Sequence, residues 1–152
     1  MPDNVRKIRI EIGGATALAT LLDAQAPRAC QKLWDALPID AGARHSRWSG
    51  GAAYILIDAL KDPDYRGAQH AQLNLPENFN SFLQIGTVNY LAAHGELVFC
   101  YDQAQARAPD GNQWAARIAD IDPDGDSDRA GLFAALAQTQ HRGETPIRIT
   151  PA

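Results

Sequence analysis

Between Val5 and Ile12 apolar and polar residues alternate. Ile8, Ile10 and Ile12 fall on one face, and Lys7, Arg9 and Glu11 on the other. Period two predicts a half-buried strand. Gly13 and Gly14 follow, two residues free to take the positive φ that a tight hairpin turn demands. Ala15 to Leu22 then reads as the partner strand. With that turn Ile12 lies opposite Ala15, Ile10 opposite Ala17 and Ile8 opposite Ala19. Large residues facing small ones suit a curved sheet with a crowded interior.

The period changes at Gln25 to Leu37, where Ala26, Cys30, Leu33, Trp34 and Leu37 recur at helical spacing. Pro27 suits the first turn of that helix, and Pro38 ends it. Ala43 to Trp48 reads as a short strand, and Ser49-Gly50-Gly51 turns the chain into a strand over Ala52–Asp58. Ala59 to Phe82 has weak periodicity and contains Pro63, Gly67 and Pro76. It reads as a long excursion with a short strand near Ala71–Leu75, and loops of that length often build a site. Gly86–Ala92 and Glu96–Tyr101 make a second hairpin across Ala93-His94-Gly95. Gln103–Gly111 reads as a polar loop and Trp114–Ile121 as a strand. A helix over Asp128–Gln140 follows, capped by Ser127 or Asp126. Its apolar content is Ala130, Leu132, Phe133, Leu136 and Ala137. Thr145–Thr150 is the last strand. Hairpins dominate this order, which predicts a mainly β fold. A closed eight-stranded antiparallel barrel capped by two α-helices leaves no open edge. No composition break divides the chain, so residues 1–152 are read as a single domain.

Composition narrows the function. Of 152 residues, 14 are Lys or Arg and 18 Asp or Glu, giving a net charge of −4. Such a chain lacks the overall field that draws nucleic acid or anionic membranes, so neither is expected as a partner. Two cysteines, Cys30 and Cys100, cannot frame a disulfide scaffold. Without an apolar leader or a run near the ~20 residues that a span requires, the chain reads as cytoplasmic.

Several stretches resemble the cyclophilin-like barrels, and more closely a bacterial family of unknown function sharing that fold. They are Ile10-Glu11-Ile12-Gly13-Gly14, Ala26-Pro27-Arg28-Ala29-Cys30, His45-Ser46-Arg47-Trp48-Ser49-Gly50 and Pro76-Glu77-Asn78-Phe79-Asn80-Ser81-Phe82. Tyr90, Gly95-Glu96 and Asn112 also fit, so the resemblance runs from roughly Ile8 to Ile149. It implies that Arg47 is the counterpart of the arginine which, in prolyl isomerases, donates to the substrate carbonyl. The Phe and Gln that follow in those enzymes have no counterpart here, which opposes proline isomerisation.

If the strand over Ala43–Trp48 is regular, His45 and Arg47 share one face, with Ser46 and Trp48 on the other. Arg47 offers a planar donor fork for a carboxylate or amide oxygen. His45 and Glu96 are the neighbouring groups able to move a proton. Arg47, His45 and Glu96 are thus the catalytic candidates. Trp48, Tyr54, Glu77, Asn80, Ser81, Phe82 and Tyr90 are the ligand-binding candidates. In Glu77–Phe82, amides, a hydroxyl, a carboxylate and aromatics mix as at a pocket edge, or equally as in a capped turn.

His94-Gly95-Glu96 cannot close a metal site alone, so no metal and no cofactor is expected. Asp120 to Asp128 has the oxygen spacing of a calcium loop, but Gly131 stands where a bidentate glutamate belongs, and Pro123 interrupts it. The expected function is binding of a small polar molecule bearing a carboxylate or amide, with hydrolytic or isomerising acid–base chemistry. The alternatives are a peptidyl-prolyl isomerase and a non-catalytic binding or assembly module. The latter would use Ala59–Phe82 as its contact surface and is compatible with a homo-oligomer.

Overall fold

The computed structural model describes residues 5–62, 77–109 and 111–152. Strands β1 (Lys7–Ile12) and β2 (Ala15–Leu21) form the first hairpin in the expected register, Ile12 to Ala15, Ile10 to Ala17 and Ile8 to Ala19. Gly13 and Gly14 turn the chain with φ of +58° and +80°, angles that a side chain would strain. Helix α1 (Pro27–Ala36) leads to β3 (Ile39–His45), β4 (Gly50–Leu56) and a 3-10 turn at Asp58–Leu60. After two short strands, β5 (Phe79–Asn80) and β6 (Phe82–Leu83), come β7 (Thr87–Leu91) and β8 (Glu96–Gln105). A small pair, β9 (Arg107–Ala108) and β10 (Gly111–Asn112), precedes β11 (Ala115–Ile121), α2 (Arg129–Arg142) and β12 (Thr145–Pro151).

The strands pair in the order β2-β1-β12-β3-β4-β8-β7-β11, and β11 returns to β2 through Ala119–Leu21, Asp120–Thr20 and Ile121–Ala19. All these pairings are antiparallel, so the sheet closes into an eight-stranded barrel. The isoleucines of β1 fill it, with Ala17, Ala19, Ile55, Val88, Leu97, Phe99, Ile118 and Ile149. Both helices add to the same core, α1 through Ala29, Cys30 and Leu33 and α2 through Leu132 and Leu136.

Outside the barrel wall lies a second, smaller apolar cluster. Ala52, Leu91, Val98, Cys100 and Ala115 meet Leu83 and Ala106 there. Alternation explains the division: Ala53 and Ile55 of β4 point inward, whereas Ala52 and Tyr54 point outward. A strap made of β5 and β6 covers the outward set, β5 pairing with β11 and β6 with the end of β8.

Four expectations need correction. β3 begins at Ile39, because Asp40 and Gly42 hide a strand whose outer residues face solvent and Glu144, and it ends at His45. The residues from Gln103 to Gln105 extend β8 and are not loop, since Gly50 and β6 supply their pairing partners. The cap of α2 is Asp128, which accepts from Gly131 N at 2.9 Å, while Ser127 Oγ accepts from Leu18 N. Ala130 of α2 is exposed and lies off the apolar face. The short strand expected near Ala71–Leu75 falls outside the described residues. Among the described residues no helix is long and apolar enough to cross a membrane.

Ala17 is fully buried in the barrel opposite the large Ile10. Ala17→Leu is expected to cost about 1–3 kcal/mol through overpacking. Urea unfolding would show this as a lowered midpoint, and an unchanged midpoint would contradict the crowded interior.

Candidate functional site

The turn from Ser46 to Ser49 joins β3 to β4 and is fastened at both ends. Ser46 N donates to Ala52 O at 2.9 Å, and Ser46 Oγ accepts from Ser49 N at 3.0 Å. On the far side Gln105 N donates to Ser49 O at 2.8 Å, and Arg107 N to Ser49 Oγ at 3.2 Å. Gly50 makes this closeness feasible: its φ is +105°, and a Cβ there would lie 2.7 Å from Gln103 O. The two residues between the fastenings, Arg47 and Trp48, are exposed.

His45 therefore does not share a strand face with Arg47, because the strand has ended. Its ring is held by Nδ1 donating to Ser46 O at 2.8 Å and by a 2.7 Å hydrogen bond between Nε2 and Tyr101 Oη. A carbonyl can only accept, so Nδ1 carries the proton and, in the neutral ring, Nε2 accepts from the tyrosine. Gln140 Nε2 donates to the same Tyr101 Oη at 2.9 Å. Both ring nitrogens are engaged, so His45 anchors the base of the turn.

Arg47, Trp48, Tyr54 and Glu96 line one depression of about 640 Å³, together with Leu56, Lys61, Arg107 and His94. Volumes of that order suit a small molecule. Its floor is the outer barrel wall, where β4 and β8 set Ala52 beside Cys100, Tyr54 beside Val98 and Leu56 beside Glu96. Cover thins along this ladder: Ala52 and Cys100 are sealed, Tyr54 is half-buried, and Leu56 is exposed. Glu96 lies between Leu56 and Leu91, its two cross-strand neighbours. Burial among them pushes its carboxyl up to about 7. Arg47 meets no hydrogen-bond or ion-pair partner among the described residues, and Glu96 forms no ion pair there. A second depression, lined by His45, Gln140 and Glu144, shares Ser46, Arg47 and Tyr54 with the first.

The other sequence candidates lie elsewhere. Glu77 is buried and caps α1, accepting from Arg28 N at 2.8 Å and Ala29 N at 2.9 Å. That helix has no side-chain cap of its own and no acid in its first turn. Tyr90 is in the core, its hydroxyl bonded to the Leu60 carbonyl. Asn80 donates to Ala115 O at 3.0 Å, while Asn80 Oδ1 and Ser81 Oγ are buried without hydrogen-bond partners among the described residues. Phe82 lies on the strap, exposed, and faces a different hollow. Arg107, Leu56 and Lys61 line the depression without having been singled out by sequence. Arg107 arrives only because β8 continues past Tyr101, which nothing in its polar surroundings signals.

The acidic loop does not converge on a cation. Asp120 Oδ1 accepts from Arg117 Nε at 2.8 Å, Asp122 from Thr20 Oγ1 and Lys7, Asp124 from Ala130 N, and Asp128 from Gly131 N. Among the described residues no group of three His, Cys, Asp or Glu is placed to hold a metal. Both thiols are buried, which pushes Cys30 up to about 12 and Cys100 up to about 11 and leaves them poor nucleophiles.

Residues 8–119 match the family described as Protein of unknown function (DUF3830). The chain belongs to that family. No curated protein matches it. Among solved structures, the DUF3830 chain is similar to McbB, described in complex with tryptophan. The TM-score is 0.70 and the identity 20% over 94% of this chain, which spans 44% of McbB's length. It is also similar to the hypothetical protein AF2241 from Archaeoglobus fulgidus, with a TM-score of 0.63 and 16% identity over the whole of both chains. At these identities the likeness is one of fold.

Glu77→Ala is expected to cost about 1–2 kcal/mol, the magnitude of a lost helix cap, read as a lower unfolding midpoint. For Glu96 the sign follows from its raised value. The folded state favours the protonated carboxyl, so ionisation lowers stability as pH rises from the unfolded value, about 4.3, through 7. Glu96→Gln keeps the neutral form. It should leave the melting temperature near parental at pH 4 and raise it at pH 8; equal shifts at both would contradict the burial.

Proposed function

We propose that this DUF3830 protein binds a small molecule bearing a carboxylate or amide in the depression on the barrel wall. Arg47 grips the acceptor, and Trp48 and Tyr54 form the walls. The reading rests chiefly on one observation: Arg47 and Glu96 line the same depression, yet neither is neutralised by the other. A guanidinium held ready on a fastened turn gives two parallel donors without ordering a long loop on binding. A carboxyl that titrates near neutral pH is suited to give or take a proton, which fits hydrolysis or isomerisation of the bound molecule. Glu96 is the acid–base candidate that remains, since the ring nitrogens of His45 are both committed.

The cyclophilin likeness belongs to the same proposal. It draws on the order hairpin, helix, strand run, helix, strand and on the motif around Arg47. The neighbour solved with tryptophan adds a reason to include aromatic amino acids among the ligands tested.

The test is a thermal-shift and calorimetric screen of small carboxylates and amides, tryptophan included. A binding acid should raise the melting temperature, and Arg47→Ala should weaken it about 10- to 100-fold, the size of a charged hydrogen bond of about 1.5–3 kcal/mol. A ligand bound equally well by Arg47→Ala would overturn the reading.

A further inference from the structure

The depression described above does not stop at Trp48. On the other side of that side chain lies a hollow of about 780 Å³ that shares Trp48, Ser49 and Arg107 with it. Its lining is of another kind. Trp48 is 57% exposed, Phe82 74% and Ile85 49%, three of the largest apolar side chains left in water, all bordering this one hollow. Single exposed apolar residues are ordinary, but a cluster rimmed by polar groups marks a surface meant to be covered. The polar rim here includes the amides of Gln84, Gln103 and Gln105, with Arg107 as the cation at the junction with the neighbouring depression.

We infer that the ligand is an amphipathic carboxylate whose apolar arm crosses Trp48 and lies in this hollow against Phe82 and Ile85, while its acid group stays with Arg47. The inference rests on the reading of Arg47 given above. Continuity carries it. A polar depression whose guanidinium has no partner among the described residues and an apolar hollow share Trp48, Ser49 and Arg107, so a ligand anchored in the first extends directly into the second. Backbone pairing with Gln105 fixes the strap strand from which Phe82 projects beside the hollow. A purely polar ligand would leave all three side chains wet and is disfavoured on that ground.

A series of acids of growing arm separates the possibilities: acetate, butyrate, hexanoate and 4-phenylbutyrate, measured by calorimetry on the parent, Arg47→Ala, Phe82→Ala and Ile85→Ser. The expected result is at least a tenfold rise in affinity from butyrate to 4-phenylbutyrate. Phe82→Ala should remove most of that gain and leave butyrate unchanged. Ile85→Ser, an exposed substitution outside the strands, provides the same test should Phe82→Ala unsettle the strap. A flat series overturns this inference alone if Arg47→Ala still weakens every acid. A gain that survives both apolar variants also overturns it. So does a patch that proves to be a contact between copies, seen as self-association in sedimentation that Phe82→Ala abolishes without changing 4-phenylbutyrate affinity. Indifference of all four acids to Arg47→Ala would instead overturn the reading beneath it.

Discussion

Closing eight strands into a barrel buries one face of each strand and turns the other face outward, toward water or toward a covering segment. On β4 and β8 that outer face is apolar until it reaches Glu96: Ala52, Tyr54 and Leu56 stand beside Cys100, Val98 and Glu96. The strap carrying Leu83 and the residue Ala106 seal the first rungs of this ladder, and the cover ends before the last. Water excluded from the sealed end and admitted at the open end makes a gradient along two paired strands. The depression and the half-buried Tyr54 follow from where that cover stops, whereas the raised carboxyl of Glu96 reflects its own burial.

The fastened turn forms the other side of the candidate site. Ser46 and Ser49 use their hydroxyls on backbone groups, and His45 and Tyr101 brace the strand end beneath. A long charged side chain loses conformational freedom when it binds, and a rigid base reduces what must be ordered. Arg47 and Trp48 thus project from a braced turn whose Ser46 and Ser49 also line the depression.

Local patterns were legible because their causes are local. Alternating isoleucines, the glycine pair and the alanines opposite define the first hairpin down to its register, and Pro27 marks where α1 begins. The barrel class followed from the dominance of hairpins. The site was legible only in part. Arg47, Trp48, Tyr54 and Glu96 were named and line one depression, but the geometry imagined for them required a strand continuing through Arg47, and the chain turns there. By sequence Glu77 fits a pocket edge or a capped turn alike, because the amides it caps lie 48 and 49 residues away, beyond any local signal. Arg107 was passed over for the same reason, since its place is set by the long pairing of β8 with β4 and β6.

The central claim is that Glu96 is shielded from water on the barrel wall within the depression that Arg47 also lines. Titrating its side-chain carboxyl by carbon NMR in labelled protein, assigned by comparison with Glu96→Gln, examines that shielding at a single atom. The expected midpoint is near pH 7. A midpoint in the ordinary glutamate range, about 4.3, would mean a solvated carboxyl and would contradict it.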